Sequence, residues 1–152
     1  MQLICMRHAE PLPATATCID PGISQNGCEA VLQASRYISQ HSSPIEKLYC
    51  SDKQRAVETA DGLISSCDLF PAYEILPCLH PSASLDALCD KVQSFGVSSL
   101  LISHNPLITQ LVSYLLTGSR DKSIFSFTPG AAISLQLSCA QTWSLNWAFR
   151  PS

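Results

Sequence analysis

The stretch LICMRHAEP, residues 3 to 11, decides how the rest of the sequence is interpreted. Its first four residues are apolar, which is typical of a short strand buried on both faces. The apolar run ends in an arginine and a histidine, Arg7 and His8, side by side. Such a pair is common in solvated loops, so its meaning depends on the residues at the ends of the other strands of the same sheet.

The rest of the chain alternates short apolar runs with helical patterns. The runs are QLICM (2 to 6), EKLYC (46 to 50), YEIL (73 to 76) and SSLLIS (98 to 103), and a helical pattern follows each. Helices are predicted over Ser24 to Gln40, through Ala56 to Ile64, after an N-cap at Ser84, and after Asn105-Pro106 as cap and first-turn pair. This alternation predicts an α/β fold, a three-layer sandwich whose mostly parallel central sheet is covered by helices on both faces.

The last segment has a different pattern. Ile133, Leu135 and Leu137 alternate with polar residues, and the stretch from Trp143 to Phe149 alternates in the same way. Alternation with a period of two predicts a half-buried hairpin at an edge of the sheet. We expect its tryptophans to belong to the core.

Length, charge and cysteine spacing exclude several classes of protein. A chain of 152 residues suits one domain, spanning 1-152, with one compact core. A net charge of -3, without runs of Lys or Arg, argues against nucleic acid as a partner. No stretch has the length of a signal peptide or membrane span, so we expect a cytoplasmic protein without membrane contacts. The eight cysteines include no Cys-x-x-Cys pair and are interpreted as reduced core residues.

Three of the four apolar runs end in residues of the same chemical kind. The first is followed by Arg7 and His8, the second by Ser51 with Arg55 in the next helix, and the fourth by His104. Ligands of open α/β sheets bind beyond the carboxyl ends of the strands, so these side chains are predicted to share one crevice. The other two histidines, His41 and His80, lack such a placement.

The predicted crevice has the chemistry of a phosphate site. Guanidinium groups bind phosphate through paired hydrogen bonds and stay charged, and the N-terminus of the helix after Asn105 would add free N–H groups. The candidate phosphate-binding residues are Arg7, Arg55, His104, Asn105 and Ser51. A neutral His8 is a competent nucleophile for in-line attack on phosphorus, while Arg7, Arg55 and His104 would stabilise the transferring oxygens. This chemistry requires neither a metal nor another cofactor.

At these residues the sequence resembles the histidine phosphatase superfamily, which has the phosphoglycerate mutase-like fold. MRHAE matches the Arg-His-Gly/Ala motif, IDPGISQNGCEA resembles the Asp-x-Pro-Leu-Thr-x-x-Gly segment, CSDKQRAVETA matches Ser-x-x-x-Arg-Ala-x-x-Thr-Ala, and LISHNPLI supplies the second histidine. The resemblance implies that His8 is the phosphorylated nucleophile. It also implies that Arg7, Arg55 and His104 form the phosphate pocket.

Within the superfamily the chain is similar to the small SixA-type phosphohistidine phosphatases. That similarity implies a metal-independent hydrolase acting on histidine-containing phosphotransfer domains in two-component signalling. About ten residues separate Leu76 from the helix near Leu85, too few for the cap insertion of larger members. Cys78 stands in LPCLH, where many phosphomonoesterases of the superfamily place a proton-donating glutamate, and Glu10 and Glu74 remain as possible donors.

Other functions are weighed against this interpretation. A broad phosphatase for small phosphate monoesters is the main alternative. A cysteine-dependent phosphatase would use Cys50, but only four residues separate it from Arg55. A zinc site could be built from Cys5-x-x-His8 and Cys78-x-His80. Cys5, however, lies inside the strand pattern, and no further close-spaced pair of ligands accompanies these residues. A catalytically silent module that binds phosphohistidine or phosphate would be expected to lack one of Arg7, His8, Arg55 and His104, and all four are present.

Overall fold

The computed structural model describes residues 1–152, and every predicted strand and helix is present. The elements in chain order are β1 (Gln2–Arg7), α1 (Gln25–His41), β2 (Lys47–Cys50), α2 (Gln54–Ser66), β3 (Tyr73–Ile75), a 3₁₀ helix (Pro77–Leu79), α3 (Leu85–Gln93), β4 (Ser99–Ser103), α4 (Leu107–Thr117), β5 (Ala132–Leu137) and β6 (Trp143–Phe149).

The six strands form one sheet in the order β3-β2-β4-β1-β5-β6. The strands β3, β2, β4 and β1 run parallel to one another, whereas β5 is antiparallel to β1 and β6 is antiparallel to β5. This confirms the prediction of a mostly parallel sheet with a C-terminal hairpin at one edge. Although β4 follows β2 and β3 in the chain, it lies between β1 and β2, so the carboxyl ends of these three strands are neighbours.

Two hydrophobic cores lie on opposite faces of the sheet, because successive side chains of a strand point to opposite sides. Leu3 and Cys5 of β1 pack with α3 and α4, whereas Ile4 and Met6 pack with α1 and α2. The three-layer sandwich is thereby confirmed, and the expectation of one compact core is wrong. All five residues of β4 are buried, since helices cover this central strand on both faces.

Serine residues cap two of the helices. Ser24 Oγ accepts a hydrogen bond from the Gly27 N–H at 3.0 Å in front of α1. Ser84 Oγ accepts one from the Ala87 N–H at 3.2 Å in front of α3, as the sequence predicts. Each serine thus satisfies one backbone donor that the helix itself leaves free.

The prediction that Asn105 caps α4 is wrong. Pro106 occupies the N-cap position, and the helix begins at Leu107. The Asn105 side chain instead donates from Nδ2 to the Phe127 carbonyl at 3.2 Å and accepts at Oδ1 from the Thr109 hydroxyl at 2.8 Å. These contacts join the start of α4 to the loop before β5.

The C-terminal hairpin is more deeply built into the sheet than predicted. Because β5 lies between β1 and β6, its first four residues are buried, including Ser134, whose Oγ accepts a hydrogen bond from Gln2 Nε2 at 2.8 Å. The pairing of β5 with β6 shifts register after Ser134. Trp143 therefore packs against the core of α3 and α4, whereas Trp147 packs against the core of α1 and α2.

All eight cysteines are free, but their expected burial is only partly correct. Cys5, Cys50 and Cys89 are buried, Cys67 and Cys78 are half-buried, and Cys18, Cys28 and Cys139 are exposed. Cys18 and Cys139 lie in loops, and Cys28 lies on the solvent-facing side of α1. None of the three belongs to the buried apolar face of a helix or strand, so the prediction of burial fails there. None of the helices is both long enough and apolar enough to cross a membrane.

Candidate functional site

The carboxyl ends of β1 and β4 bring two histidines together. Arg7 at the end of β1 pairs with Ser103 at the end of β4, and the His8 N–H donates to the Ser103 carbonyl at 3.0 Å. His104 follows Ser103 directly. The ring centroids of His8 and His104 consequently lie 4.9 Å apart.

The end of β2 adds two further side chains. Ser51 follows β2, and its Oγ lies 2.6 Å from Nε2 of His104. Arg55 lies in the first turn of α2, and its Nε donates to Nε2 of His8 at 3.3 Å. Residues from three strand ends therefore meet in one crevice, as the sequence predicts.

The environment of His8 fixes both its charge and its tautomer. Nδ1 lies 2.8 Å from the Ala9 carbonyl oxygen, which only accepts, so Nδ1 carries the ring proton and Nε2 carries the lone pair. Burial lowers the pKa of His8 to about 4; the hydrogen bond to Ala9 opposes this effect, and the charges of Arg55 and Arg7 reinforce it. The imidazole is neutral at pH 7.

His104 is also held neutral. Burial lowers its pKa to about 3, and the positive charges of Arg55 and of His8, once His8 is protonated at low pH, act in the same direction. Its Nε2 contacts the hydroxyl of Ser51, which is fully buried, whereas its buried Nδ1 has no hydrogen-bond partner in the protein. The Ser51 contact fixes the orientation of the His104 ring.

The two arginines supply the positive charge of the site. Arg7 donates from Nη1 to the Phe127 carbonyl at 2.8 Å, and its buried Nε has no partner. Burial lowers the pKa of Arg7, and the nearby charge of Arg55 lowers it further. Arg55 Nη1 lies 3.8 Å from Asp20 Oδ1. Two adjacent guanidinium groups beside two neutral imidazoles favour an anionic ligand.

Arg7, His8, Ser51 and Arg55 lie in a region of the sequence that matches a known family, and His104 lies after it. The family model of the histidine phosphatase superfamily (branch 1) matches residues 3–80, just over half of the chain. The chain belongs to the histidine phosphatase superfamily. The resemblance described from the sequence is confirmed, and so is the expectation of a hydrolase of the phosphatase type.

Individual proteins are similar over almost the whole chain. The phosphohistidine phosphatase SixA of Escherichia coli (strain K12) is 29% identical over 156 residues, covering 99% of this chain and 94% of the relative. A solved structure of the protein histidine phosphatase SixA complexed with tungstate has a TM-score of 0.87 at 28% identity, covering 99% of this chain and 97% of that chain. The alpha-ribazole phosphatase from Shigella flexneri, with a TM-score of 0.73 at 14% identity over 95% of this chain and 94% of that chain, shares the fold.

Asp20 and Thr59 lie in the segments that carry the resemblance to the superfamily, but no function was assigned to either residue from the sequence. Asp20 accepts a hydrogen bond from the Gln54 N–H at 3.1 Å and lies beside Arg55. Thr59 accepts one from the Ala9 N–H at 3.0 Å. Asp20 thereby connects the loop before α1 to the first turn of α2, and Thr59 connects α2 to the residue after His8.

His80 lies nearer to the site than the sequence predicts. The Ser103 hydroxyl donates to the Leu79 carbonyl at 2.8 Å and ties the 3₁₀ helix to the end of β4. The His80 ring, whose Nε2 lies 3.9 Å from Asp52 Oδ1, is near enough for its charge to contribute to the lowered pKa of His104. His41, in contrast, is exposed at the end of α1.

The structure argues against a cysteine nucleophile. Burial raises the pKa of the Cys50 thiol to about 12, with Asp61 and Asp52 adding to the effect. A thiol that stays protonated is a poor nucleophile. No group of three or more His, Cys, Asp or Glu side chains is placed to hold a metal ion, and Cys5 is completely buried in β1.

The segment after β3 carries no carboxylate at the expected glutamate position. Cys78 lies half-buried in the 3₁₀ helix. Of the two other candidate donors, Glu74 forms an ion pair with Lys47 at 2.7 Å, and Glu10 accepts a hydrogen bond from the Ser24 hydroxyl at 2.7 Å. Both carboxylates therefore already have partners in the protein.

Proposed function

We propose that this protein is a phosphohistidine phosphatase that works through a covalent phosphohistidine on His8. The observation that carries the proposal is the state of the His8 ring, which is neutral with its lone pair on Nε2. A neutral imidazole nitrogen attacks phosphorus without prior removal of a proton. The similarity to the phosphohistidine phosphatase SixA supports the same activity.

In the first proposed step, His8 Nε2 attacks the phosphorus atom of the substrate in line. A new N–P bond forms as the P–N bond to the substrate ring breaks, and the electron pair of that bond goes to the departing nitrogen. When the second nitrogen of the substrate ring is protonated, histidine leaves as a neutral imidazole. This leaving group requires less assistance from a protein acid than an alkoxide does, which suits a site with Cys78 at the glutamate position.

The proposed pocket for the transferred group consists of Arg7, Arg55 and His104, together with Asn105, which directly follows His104. Arg55 donates to His8 Nε2 in the free enzyme. Phosphoryl oxygens accept hydrogen bonds from a guanidinium more strongly than a neutral nitrogen does, so arrival of the phosphoryl group draws Arg55 away and frees the lone pair. Ser51 is assigned to the phosphate-binding set through its contact with His104.

In the second proposed step, water attacks the phosphorus atom of phosphorylated His8. The O–P bond forms, the electron pair of the N–P bond returns to Nε2, and the proton lost by water goes to solvent. His8 then regains its starting state, with the proton on Nδ1. No metal or other cofactor takes part, because the arginines stabilise the charge on the transferring oxygens.

The proposed substrate is a histidine-containing phosphotransfer domain in two-component signalling, within the cytoplasm. Only residues 80–84 connect the 3₁₀ helix to α3, which is too short for a cap insertion after β3. We therefore treat residues 1–152 as a single domain without a cap insertion. A protein surface can approach such a site, whereas a small ester gains few contacts from it.

Rapid acid-free quenching tests the covalent intermediate. Wild-type enzyme mixed with a phosphotransfer domain carrying ³²P on histidine should yield a labelled enzyme whose phosphate is stable in base and lost in acid. The label should map to His8 and be absent in His8→Ala. His41→Ala, which changes an exposed histidine outside the crevice, is the matched control and should label normally. A label on cysteine would refute the assignment.

A comparison of substrates tests the proposed preference for phosphohistidine over phosphate esters. Turnover of the phosphorylated phosphotransfer domain should exceed that of phosphoserine, phosphotyrosine and sugar phosphates by at least about a hundredfold in kcat/KM, the scale that general acid catalysis contributes. Cys78→Glu should narrow the gap by raising ester hydrolysis. Equal turnover of a sugar phosphate would instead favour the broad phosphatase for small monoesters.

A further inference from the structure

Thr59 lies one helical turn after Arg55 in α2, and its side chain is completely buried, with 0% exposure. Its hydroxyl donates to the Arg55 carbonyl at 2.7 Å. The same oxygen accepts a hydrogen bond from the Ala9 N–H at 3.0 Å. A threonine hydroxyl that bonds the carbonyl four residues earlier is common in helices, but here it also anchors a residue from the loop after β1.

The contacts of Thr59 continue to the nucleophile. The Ala9 carbonyl accepts the proton on His8 Nδ1 at 2.8 Å, and Arg55 Nε donates to His8 Nε2 at 3.3 Å. Four hydrogen bonds therefore join Arg55, Thr59, Ala9 and His8 in a closed ring. Arg55 takes part twice, through its carbonyl and through its guanidinium.

The donor of each bond in this ring follows from the chemistry of the groups. The Arg55 carbonyl only accepts, so the single hydroxyl proton of Thr59 points to it. The Thr59 oxygen is left with lone pairs only, which suits the Ala9 N–H. Ala9 is completely buried, and the bond from its N–H to Thr59 holds its backbone in place. Its carbonyl oxygen therefore remains within hydrogen-bond distance of His8 Nδ1.

We propose that Thr59 is a positioning residue that sets the tautomer and the ring orientation of His8 and its alignment with Arg55. The inference rests on the proposed role of His8 as nucleophile. Without the hydroxyl, the Ala9 N–H loses its acceptor and the Arg55 carbonyl loses its donor, so both residues that bond the His8 ring can shift and the ring proton can move to Nε2. That tautomer has no lone pair on the attacking nitrogen.

Two substitutions separate the hydroxyl from the packing of the side chain. Thr59→Val keeps the shape and removes the hydroxyl, whereas Thr59→Ser keeps the hydroxyl and removes a methyl group. Thr117→Val is the matched control, because the Thr117 hydroxyl also donates to a carbonyl four residues earlier, that of Ser113 at 2.8 Å, but in α4. Each variant is measured for kcat and KM on a phosphorylated phosphotransfer domain.

Thr59→Val should lower kcat by about 10- to 100-fold, the effect of a misplaced reacting group, with KM within about threefold. Thr59→Ser should keep kcat within about threefold of wild type, and Thr117→Val should match wild type. An unchanged kcat in Thr59→Val, or equal losses in the Val and Ser variants, would overturn the proposal, since equal losses indicate packing alone.

Nuclear magnetic resonance of ¹⁵N-labelled histidine tests the same inference without substrate. Wild-type His8 should show the Nδ1–H tautomer at neutral pH, Thr59→Ser should preserve it, and Thr59→Val should show a mixture or the Nε2–H form. If Thr59→Val does not fold, Thr59→Ala is compared in its place. An unaltered His8 tautomer in the variant without the hydroxyl would overturn the proposal. This readout stays valid even if the substrate proves not to be phosphohistidine.

Discussion

Lowering the pH from 7 to 5 tests the charge state of the two site histidines through the stability of the fold. An unfolded histidine binds its proton near pH 6.5. In the folded protein the pKa of His8 is about 4 and that of His104 about 3. Between these values the unfolded chain binds more protons than the folded one, so the free energy of unfolding decreases as the pH falls below 6.5.

The size of the loss follows from the two pKa values of each residue. For His8, with pKa values of 6.5 unfolded and about 4 folded, the decrease between pH 7 and pH 5 is about 2 kcal/mol. His104 contributes a decrease of similar size, about 2 kcal/mol, because its folded pKa is lower still. Most carboxyl groups titrate below pH 5, so the chosen interval isolates the histidines.

Urea unfolding at both pH values measures this decrease. The double variant His8→Gln/His104→Gln should show a much smaller loss between pH 7 and pH 5 than wild type. Leu63→Ala, which removes a fully buried apolar side chain from α2, is the control and should be less stable by an equal amount at both pH values. A wild-type stability that does not change between pH 7 and pH 5 would refute the lowered histidine pKa values.

Three further predictions concern the arginine fork, a close backbone contact and the absence of a metal. Arg55→Lys keeps the charge but loses the paired donors, so kcat/KM should fall by an amount that corresponds to on the order of 2 to 4 kcal/mol of transition-state stabilisation. Arg36→Lys, at an exposed position, is the control and should match wild type. A normal rate in Arg55→Lys would contradict the role assigned to Arg55. Gly27→Ala should destabilise the fold by about 1 to 3 kcal/mol, because its Cβ would lie 2.6 Å from the Glu10 carbonyl oxygen, whereas Gly96→Ala, in open space, should be tolerated. EDTA should leave turnover unchanged, and inhibition reversed by zinc or magnesium would show that a metal is required.

The crevice was predictable from the sequence because its main residues directly follow strands. His8 comes after β1, Ser51 after β2 and His104 after β4, so their common location requires only the direction of the strands. The location of Arg55 was predictable for the same reason, because it lies in the first turn of the helix after β2. The alternation of strands and helices predicted the layers in the same way.

The features that the sequence did not predict depend on contacts between distant parts of the chain. The 3₁₀ helix before His80 is held to the end of β4 by the bond between Ser103 and Leu79. Asn105 bonds to Phe127 instead of capping α4. The role inferred for Thr59 requires knowledge of which backbone N–H approaches its hydroxyl. Apolar periodicity and turn signals carry no information about such pairs.

The place of β4 between β1 and β2 has a consequence for how the protein acquires its activity. Arg7 and Ser103, which pair with each other, come from the first and the last third of the chain. During synthesis, β1 and β2 emerge from the ribosome long before the strand that separates them in the sheet. Such non-local parallel pairing is slow to form, and the unpaired edges of β1 and β2 remain open to aggregation until β4 inserts. Because the same insertion brings His104 to His8, no partly folded chain that lacks it can hold the proposed catalytic pair.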